Sequence, residues 1–166
     1  MKIEGVKELR FSSFHDHRGS ITEIFRISQI AGFVPLQMTH TKSKPNVLRG
    51  LHAQPWNRVV YPATGEVFNV LLDARKDSPT YGTIEIYFIN DKDRFGLYIP
   101  KGVANGYCIT GKHEVDYFYI MDDYYHEEGT QSFSYKGLGI PWPPDNIVSQ
   151  KDKDNPPFIK EVPNTH

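Results

Sequence analysis

Residues 46–52 read NVLRGLH, with Gln54 two positions further on. A short apolar run bounded by polar residues is a strand signal. This run carries Arg49 inside it and ends on a single histidine, His52. The loop PWN follows, then two more apolar runs, RVVYPA and GEVFNVLLDAR. They read as a hairpin pair broken at residues 62–65, where Pro and Gly interrupt them. An arginine within an apolar run needs a partner if it is buried, and Arg49 reads as buried. A strand-end imidazole between Arg49 and Arg58 suits proton transfer on an anionic substrate. Imidazole titrates near neutral pH, and guanidinium forks match phosphate oxygens.

Outward from this stretch the chain is a series of short strands. Residues 1–10 read as a first strand at an edge, and Gly19 marks a turn. ITEIFRIS (21–28) has apolar groups on both faces, as in a packed strand, and QIAGF allows one helical turn. VPLQMTHTKSK is extended; TIEIYFIN, FGLYIP, YCIT and HEVDYFYIMDD are further strands, with KGVANG a tight loop. The segment from SQKDKDN onward is charged and reads as irregular. No helix-period segment exceeds about two turns. Ten Tyr and ten Phe favour strands, and 12 Pro with 13 Gly supply the turns between them. The expected fold is all-β, a sandwich or barrel in one domain spanning residues 1–166, with a mouth able to hold a small ligand.

Composition narrows the function. The net charge of −1 offers no basic field for nucleic acid or an anionic membrane, so neither is an expected partner. Any anionic ligand must be met by a local cluster. The one cysteine, Cys108, excludes an internal disulfide and fits a reducing compartment. No apolar leader core or membrane-length run is present, so the expectation is a soluble, cytoplasmic protein.

A metal-binding barrel of this kind would carry His-x-His where this chain has His52-Ala53-Gln54. It would also carry a histidine where PKGVANG supplies Asn105. The site therefore reads as metal-free, with no cofactor. A lone strand-end histidine is more often a structural hydrogen-bonding group than a base. Three companions would tip the balance: an orienting acid, an anion clamp and a second proton carrier. Asp152, Asp154, Asp73 and Asp16 are candidate acids, which the sequence does not rank. Arg18, Arg49 and Arg58 are candidate clamps, whereas Lys42 and Lys44 read as an ordinary solvated loop. Tyr117, Tyr119, Tyr124 and Tyr125 are candidate proton carriers, and Tyr117 and Tyr119 share one strand face.

Taken in order, NVLRGLHAQ, GEVFNVLLDARKDSPTYG, LYIPKGVANGY and YFYIMDDYY resemble the dTDP-4-dehydrorhamnose 3,5-epimerase family. The resemblance runs from HDHRGSITEIF to SQKD, most of the chain. It implies a metal-free jelly roll of the cupin type, with short helical turns, usually a dimer that exchanges N-terminal strands. The implied partner is a nucleotide diphosphate 4-keto sugar, epimerised at C3 and C5 through an enolate. By the resemblance His52 is the base, Asp152 its acid and Tyr119 the proton donor on the other sugar face. Arg49 and Arg18 are matched to the nucleotide diphosphate; Glu23, Gln37, Gln54 and Tyr125 are matched to the pocket. The chain departs from the family at the sugar end. Arg58 stands where the family has an enolate-stabilising lysine, Asn105 replaces a pocket histidine, and QMTHT replaces QDNHS. These changes imply another sugar, a 6-deoxyhexose or heptose, or inversion at one carbon only. A 3,4-ketoisomerase and a non-catalytic nucleotide-sugar-binding protein are the competing readings.

Overall fold

A computed structural model describes residues 2–160. In chain order the strands are Lys7–Arg10 (β1), Ser13–Asp16 (β2), Gly19–Thr22 (β3), Gln37–Ser43 (β4), Val47–Ala53 (β5), Arg58–Pro62 (β6) and Val67–Asp73 (β7). Then come Ile84–Ile89 (β8), Phe95–Ile99 (β9), Val103–Ile109 (β10), Val115–Met121 (β11), Gln131–Ser132 (β12) and Ile147–Val148 (β13). A 3-10 turn at Ile27–Gln29 and a four-residue helix, Gln150–Lys153 (α1), complete the list. The fold is all-β, as expected, and of the cupin-type jelly-roll kind. No helix among the described residues is long and apolar enough to cross a membrane.

Two sheets face each other. One is ordered β1-β9-β6-β11-β4; the other β12-β5-β10-β7-β8, with β13 added to β5. Val60, Leu97 and Tyr117 of the first meet Leu71, Val103 and Tyr107 of the second between them. Alternation along β6 then sends Val59 to the outer face, where Ile30 and Phe33 cover it. The outer face of the second sheet, with Leu48, Phe68 and Leu72, is covered by Phe133, Trp142 and Phe158 of the C-terminal segment. Sheets apolar on both faces explain why β7 is buried at every position.

That double burial is also why two readings fail. Strands β6 and β7 are not a hairpin: β6 pairs with β9 and β11, whereas β7 pairs with β8 and β10. Residues 63–66 carry the chain from one sheet to the other. Continuous apolar runs announce burial but not partners. In ITEIFRIS only Ile21 and Thr22 are strand, and Ile21 is 72% exposed on the β2–β3 hairpin. Phe25 instead packs edge-on against Phe33. Strand β1 does lie at a sheet edge, as expected.

The segment DARKDSPT is a structural knot. Asp73 is fully buried and accepts from Arg75 Nε at 2.8 Å, Ser78 Oγ at 2.6 Å and Thr80 Oγ1 at 2.6 Å. Burial opposes its ionisation, but hydrogen bonds from Arg75, Ser78 and Thr80 outweigh burial and bring its pKa down to about 2. A depressed carboxylate stabilises the fold above its unfolded pKa, and the gain is lost as pH falls through the folded value. The knot should therefore contribute on the order of 2 kcal/mol at neutral pH, lost between about pH 4 and pH 2. Denaturant melts against pH should show that slope in the wild type and a flatter, lower profile in Asp73→Asn.

Candidate active site

Strand β5 is flanked by β10 on one side and by the two short C-terminal strands on the other. Parallel pairing of Ile147 with Val47 and Val148 with Leu48 anchors the segment that follows. Ser149 then caps α1 by accepting the Asp152 amide at 3.1 Å. The SQKD stretch, expected to be irregular, is thus helical, and its first turn brings Asp152 to His52. The His52 Nε2 to Asp152 Oδ1 distance is 3.0 Å. The other carboxylate oxygen accepts the Gly50 amide at 3.2 Å, and Asn155 Nδ2 lies 3.4 Å from Oδ1. Burial works against the Asp152 charge, yet His52, Gly50 and Asn155 together hold it below the usual carboxylate range. His52 Nδ1 lies 2.9 Å from Ser132 Oγ, which β12 sets directly opposite.

Gly50 is required by this packing. Its φ is +124°, and a Cβ added there would lie 2.5 Å from Gly106 Cα and 2.9 Å from Asn105 O. The β5–β10 register shifts between Asn105 and Tyr107 at the same point. KGVANG, read as a loop, is therefore strand from Val103 onward. Its Asn-Gly pair serves a bulge and close backbone approach rather than a turn. Gly50→Ala should cost about 3–5 kcal/mol, as other strained or overpacked core changes do, read as a lowered denaturation midpoint.

His52, Arg49 and Tyr119 line a cavity of about 350 Å³, with Gln54, Tyr125 and Lys151 at its walls. A smaller cavity of about 90 Å³ adjoins it, sharing Arg49, His52, Gln54 and Tyr119 and lined as well by Arg58, Asn105 and Tyr107. Tyr119 comes from β11 on the opposite sheet. Burial pushes its pKa well above that of a free phenol, and nearby Tyr107 and Tyr117 push the same way, so it holds its proton. Tyr107 and Tyr117 stack at 4.2 Å behind it.

Arg58, not Arg49, is the buried arginine. Arg58 is 1% exposed; Arg49 is solvent-exposed, with its Nε on Ser43 Oγ at 3.1 Å. Arg58 Nη2 donates to the His52 carbonyl at 3.2 Å and to the Val103 carbonyl at 3.0 Å. Its Nη1 has no partner, and among the described residues no carboxylate pairs with it. Burial brings its pKa down to about 10, which leaves it charged at neutral pH.

The structure brings together His52, Asp152, Tyr119, Arg58, Arg49, Gln54, Asn105 and Tyr125 around these two cavities. Gln37 stands behind them, its Oε1 accepting the Tyr125 amide at 2.9 Å. Arg18 and Glu23 are elsewhere in the single chain. Arg18 binds Asp16 on the β2–β3 hairpin, and Glu23 binds Arg26. Of the four candidate acids only Asp152 reaches His52; Asp73 sits in its knot, Asp16 on the hairpin and Asp154 against Gln150. Lys42 and Lys44 are exposed, as read, but Lys42 lies in strand β4 rather than in a loop. Ser132 and Gly50 were missed. No local pattern marks Ser132, and the glycine's role appears only once β10 lies against it.

The barrel and its mouth set an imidazole–carboxylate pair beside a buried cation, with a buried phenol supplied by the opposite sheet. The sequence matches the family model of dTDP-4-dehydrorhamnose 3,5-epimerase over residues 1–160. It is 33% identical over 163 residues to the dTDP-4-dehydrorhamnose 3,5-epimerase of Salmonella typhimurium, covering 92% of this chain and 88% of that one. It is 36% identical over 161 residues to the Neisseria gonorrhoeae protein of the same name. That match covers 90% of this chain but about half (49%) of the relative's length. The structure of dTDP-6-deoxy-D-glucose-3,5-epimerase from Legionella pneumophila, in complex with dTDP-4-keto-L-rhamnose, is similar with a TM-score of 0.87 and 30% identity. It covers 95% of this chain and 89% of that one. The chain belongs to the dTDP-4-dehydrorhamnose 3,5-epimerase family, and with it to the isomerases.

Proposed function

We propose that this protein epimerises a nucleotide-linked 4-keto sugar at C3, C5 or both. The observation that carries the reading is Arg58, a buried guanidinium with an unpartnered Nη1, on a residue that lines the same cavity as His52 and Tyr119. A fixed cation in a dry site stabilises charge developing on a carbonyl oxygen. The 4-keto oxygen takes that place. Asp152 accepts from His52 Nε2–H and so leaves the lone pair on Nδ1. In the resting site Ser132 donates to that lone pair, and rotation of its hydroxyl frees it. His52 then removes the proton of the carbon beside the ketone. The C–H electron pair becomes the carbon–carbon double bond, and the carbonyl pair moves to the oxygen as enolate against Arg58. Tyr119 returns a proton from the opposite face, which inverts the centre. No cofactor is required by this sequence of steps.

Arg49 and Lys151 at the outer cavity suit the diphosphate. Arg18 and Glu23 would join the His52 cavity through a homodimer that exchanges N-terminal hairpins. Phe14 and Ile21, 70% and 72% exposed on that hairpin, supply the apolar surface for such an exchange, with Met38 on β4 64% exposed. The decisive test is proton NMR in heavy water with nucleotide-linked 4-keto hexoses and heptoses. Loss of the C3 and C5 signals with retention of the 4-keto group is the expected result. Migration of the carbonyl to C3 would establish a ketoisomerase instead, and tight binding without exchange a binding protein. In Tyr119→Phe, exchange should persist while inversion falls by about 10²–10⁴-fold.

A further inference from the structure

A short run of hydroxyls crosses from one sheet to the other beside the His52 cavity. Thr41 and Ser43 sit on β4, and Tyr107 reaches them from β10. Ser43 and Tyr107 are each 1% exposed. Tyr107 Oη lies 3.2 Å from Ser43 Oγ and 3.1 Å from Thr41 Oγ1. Ser43 Oγ also accepts from Arg49 Nε at 3.1 Å, and Arg49 is paired with Tyr107 in the β5–β10 ladder. No step of the proposed reaction uses these three hydroxyls. Buried hydroxyls give the fold little that apolar side chains of the same shape would not, so the run calls for another explanation.

The cation at one end gives the run a direction. A guanidinium only donates, so Ser43 accepts from Arg49 and keeps its own proton for Tyr107. At the other end Thr41 Oγ1 donates to the Tyr117 carbonyl at 3.4 Å, which leaves its oxygen to accept from Tyr107. The order is then Arg49 to Ser43, to Tyr107, to Thr41, to the Tyr117 carbonyl. One lone pair of the Tyr107 oxygen stays open. Tyr119 lines the same cavity as Tyr107, and its hydroxyl donates there, a bond that favours the protonated phenol. The Tyr107 ring is itself held, stacked on Tyr117 at 4.2 Å with 8° between the planes.

We propose that Tyr107 is a positioning residue for the proton return: its hydroxyl, oriented by Ser43 and Arg49, holds the Tyr119 oxygen at the place from which it serves the sugar. This rests on the epimerase reading above, in which Tyr119 protonates the enolate carbon. Loss of the Tyr107 hydroxyl slows delivery from the Tyr119 face and spares proton removal by His52.

The test records two rates in heavy water with a nucleotide-linked 4-keto-6-deoxyhexose. Deuterium uptake beside the ketone reports His52, and appearance of the inverted sugar reports Tyr119. Tyr107→Phe keeps the stacked ring and removes only the hydroxyl. Uptake should stay within about threefold of the wild type while inversion falls by about 10- to 10²-fold, as when a reacting group is displaced by about 1 Å. Both rates falling together, as a loss of folded enzyme would cause, overturns the assignment, and so does an unchanged ratio. In Tyr107→Phe combined with Tyr119→Phe, inversion should be no slower than in Tyr119→Phe alone, since the hydroxyl acts through that phenol. Losses that multiply overturn it. Should Tyr107→Phe not fold, Ser43→Ala frees the Tyr107 hydroxyl and leaves the aromatic rings in place. It should lower the ratio of inversion to uptake by about two- to tenfold, the worth of one hydrogen bond; a wild-type ratio there overturns the assignment. A wild type that takes up no deuterium overturns the epimerase reading, and this proposal with it.

Discussion

His52→Ala should lower deuterium uptake at the carbons beside the ketone by at least about 10³-fold, within the range that a positioned general base contributes. The fold should survive the change. His52 has a half-exposed side chain at the end of β5, and its removal leaves the Gly50 and Asn155 bonds to Asp152 in place. The melting temperature should fall by no more than a few degrees, as for substitutions away from the core. Asp152→Asn should show a comparable loss for a different reason. An amide can present its N–H to His52 Nε2 and so shift the ring proton to Nδ1, which removes the lone pair from the reacting side. Nucleotide binding should be retained in both variants, because neither substitution removes Arg49 or Lys151 from the cavity wall. A fully active His52→Ala enzyme would overturn its assignment as the base.

Arg58→Met should separate activity from stability. The wild-type cation is buried without a carboxylate, which is an unfavourable arrangement for the fold. An apolar side chain of similar length removes that cost but leaves the His52 and Val103 carbonyls without one donor. Stability should therefore be unchanged or rise by about 1–2 kcal/mol, as when other buried charges are replaced by apolar groups. Turnover should fall by about 10²–10³-fold, the usual loss when one oxyanion-stabilising donor is removed. Chemical denaturation and single-turnover kinetics on the same preparation read both quantities. A strongly destabilised but active Arg58→Met would show that the arginine serves the fold rather than the reaction.

Much of this architecture can be read from residue pattern. Short apolar runs between Gly and Pro predict strands at NVLRGLH, TIEIYFIN and FGLYIP, and strands are there. What pattern does not carry is partnership. The apolar runs of β6 and β7 look like neighbours in the chain but lie in different sheets, because double burial removes the alternation that would orient them. The same limit separates Arg49 from Arg58. Arg49 sits amid apolar residues yet faces the solvent-filled mouth, whereas Arg58, at the start of its run, points inward. The carboxylate that meets His52 is legible only through the family resemblance. Nothing local ranks Asp152 above Asp154, and the distinction rests on which one the Ser149 cap aims at β5. Ser132 has no local mark at all, since its place is set by pairing across 80 residues.

The span between His52 and its carboxylate also bears on the order of events during synthesis. Gly50 and Asp152, joined by a hydrogen bond, are 102 positions apart. Translation proceeds at about 5–20 residues per second, so the ribosome makes His52 several seconds before Asp152 exists. All the strands from β1 to β11 precede that carboxylate, and β13 and α1 then carry it to β5. The His52–Asp152 pair is therefore completed late, by the docking of β13 and α1. A chain interrupted between Met121 and Phe133 would lack both Asp152 and the aromatic cover over Leu48, Phe68 and Leu72, leaving that sheet face open to solvent.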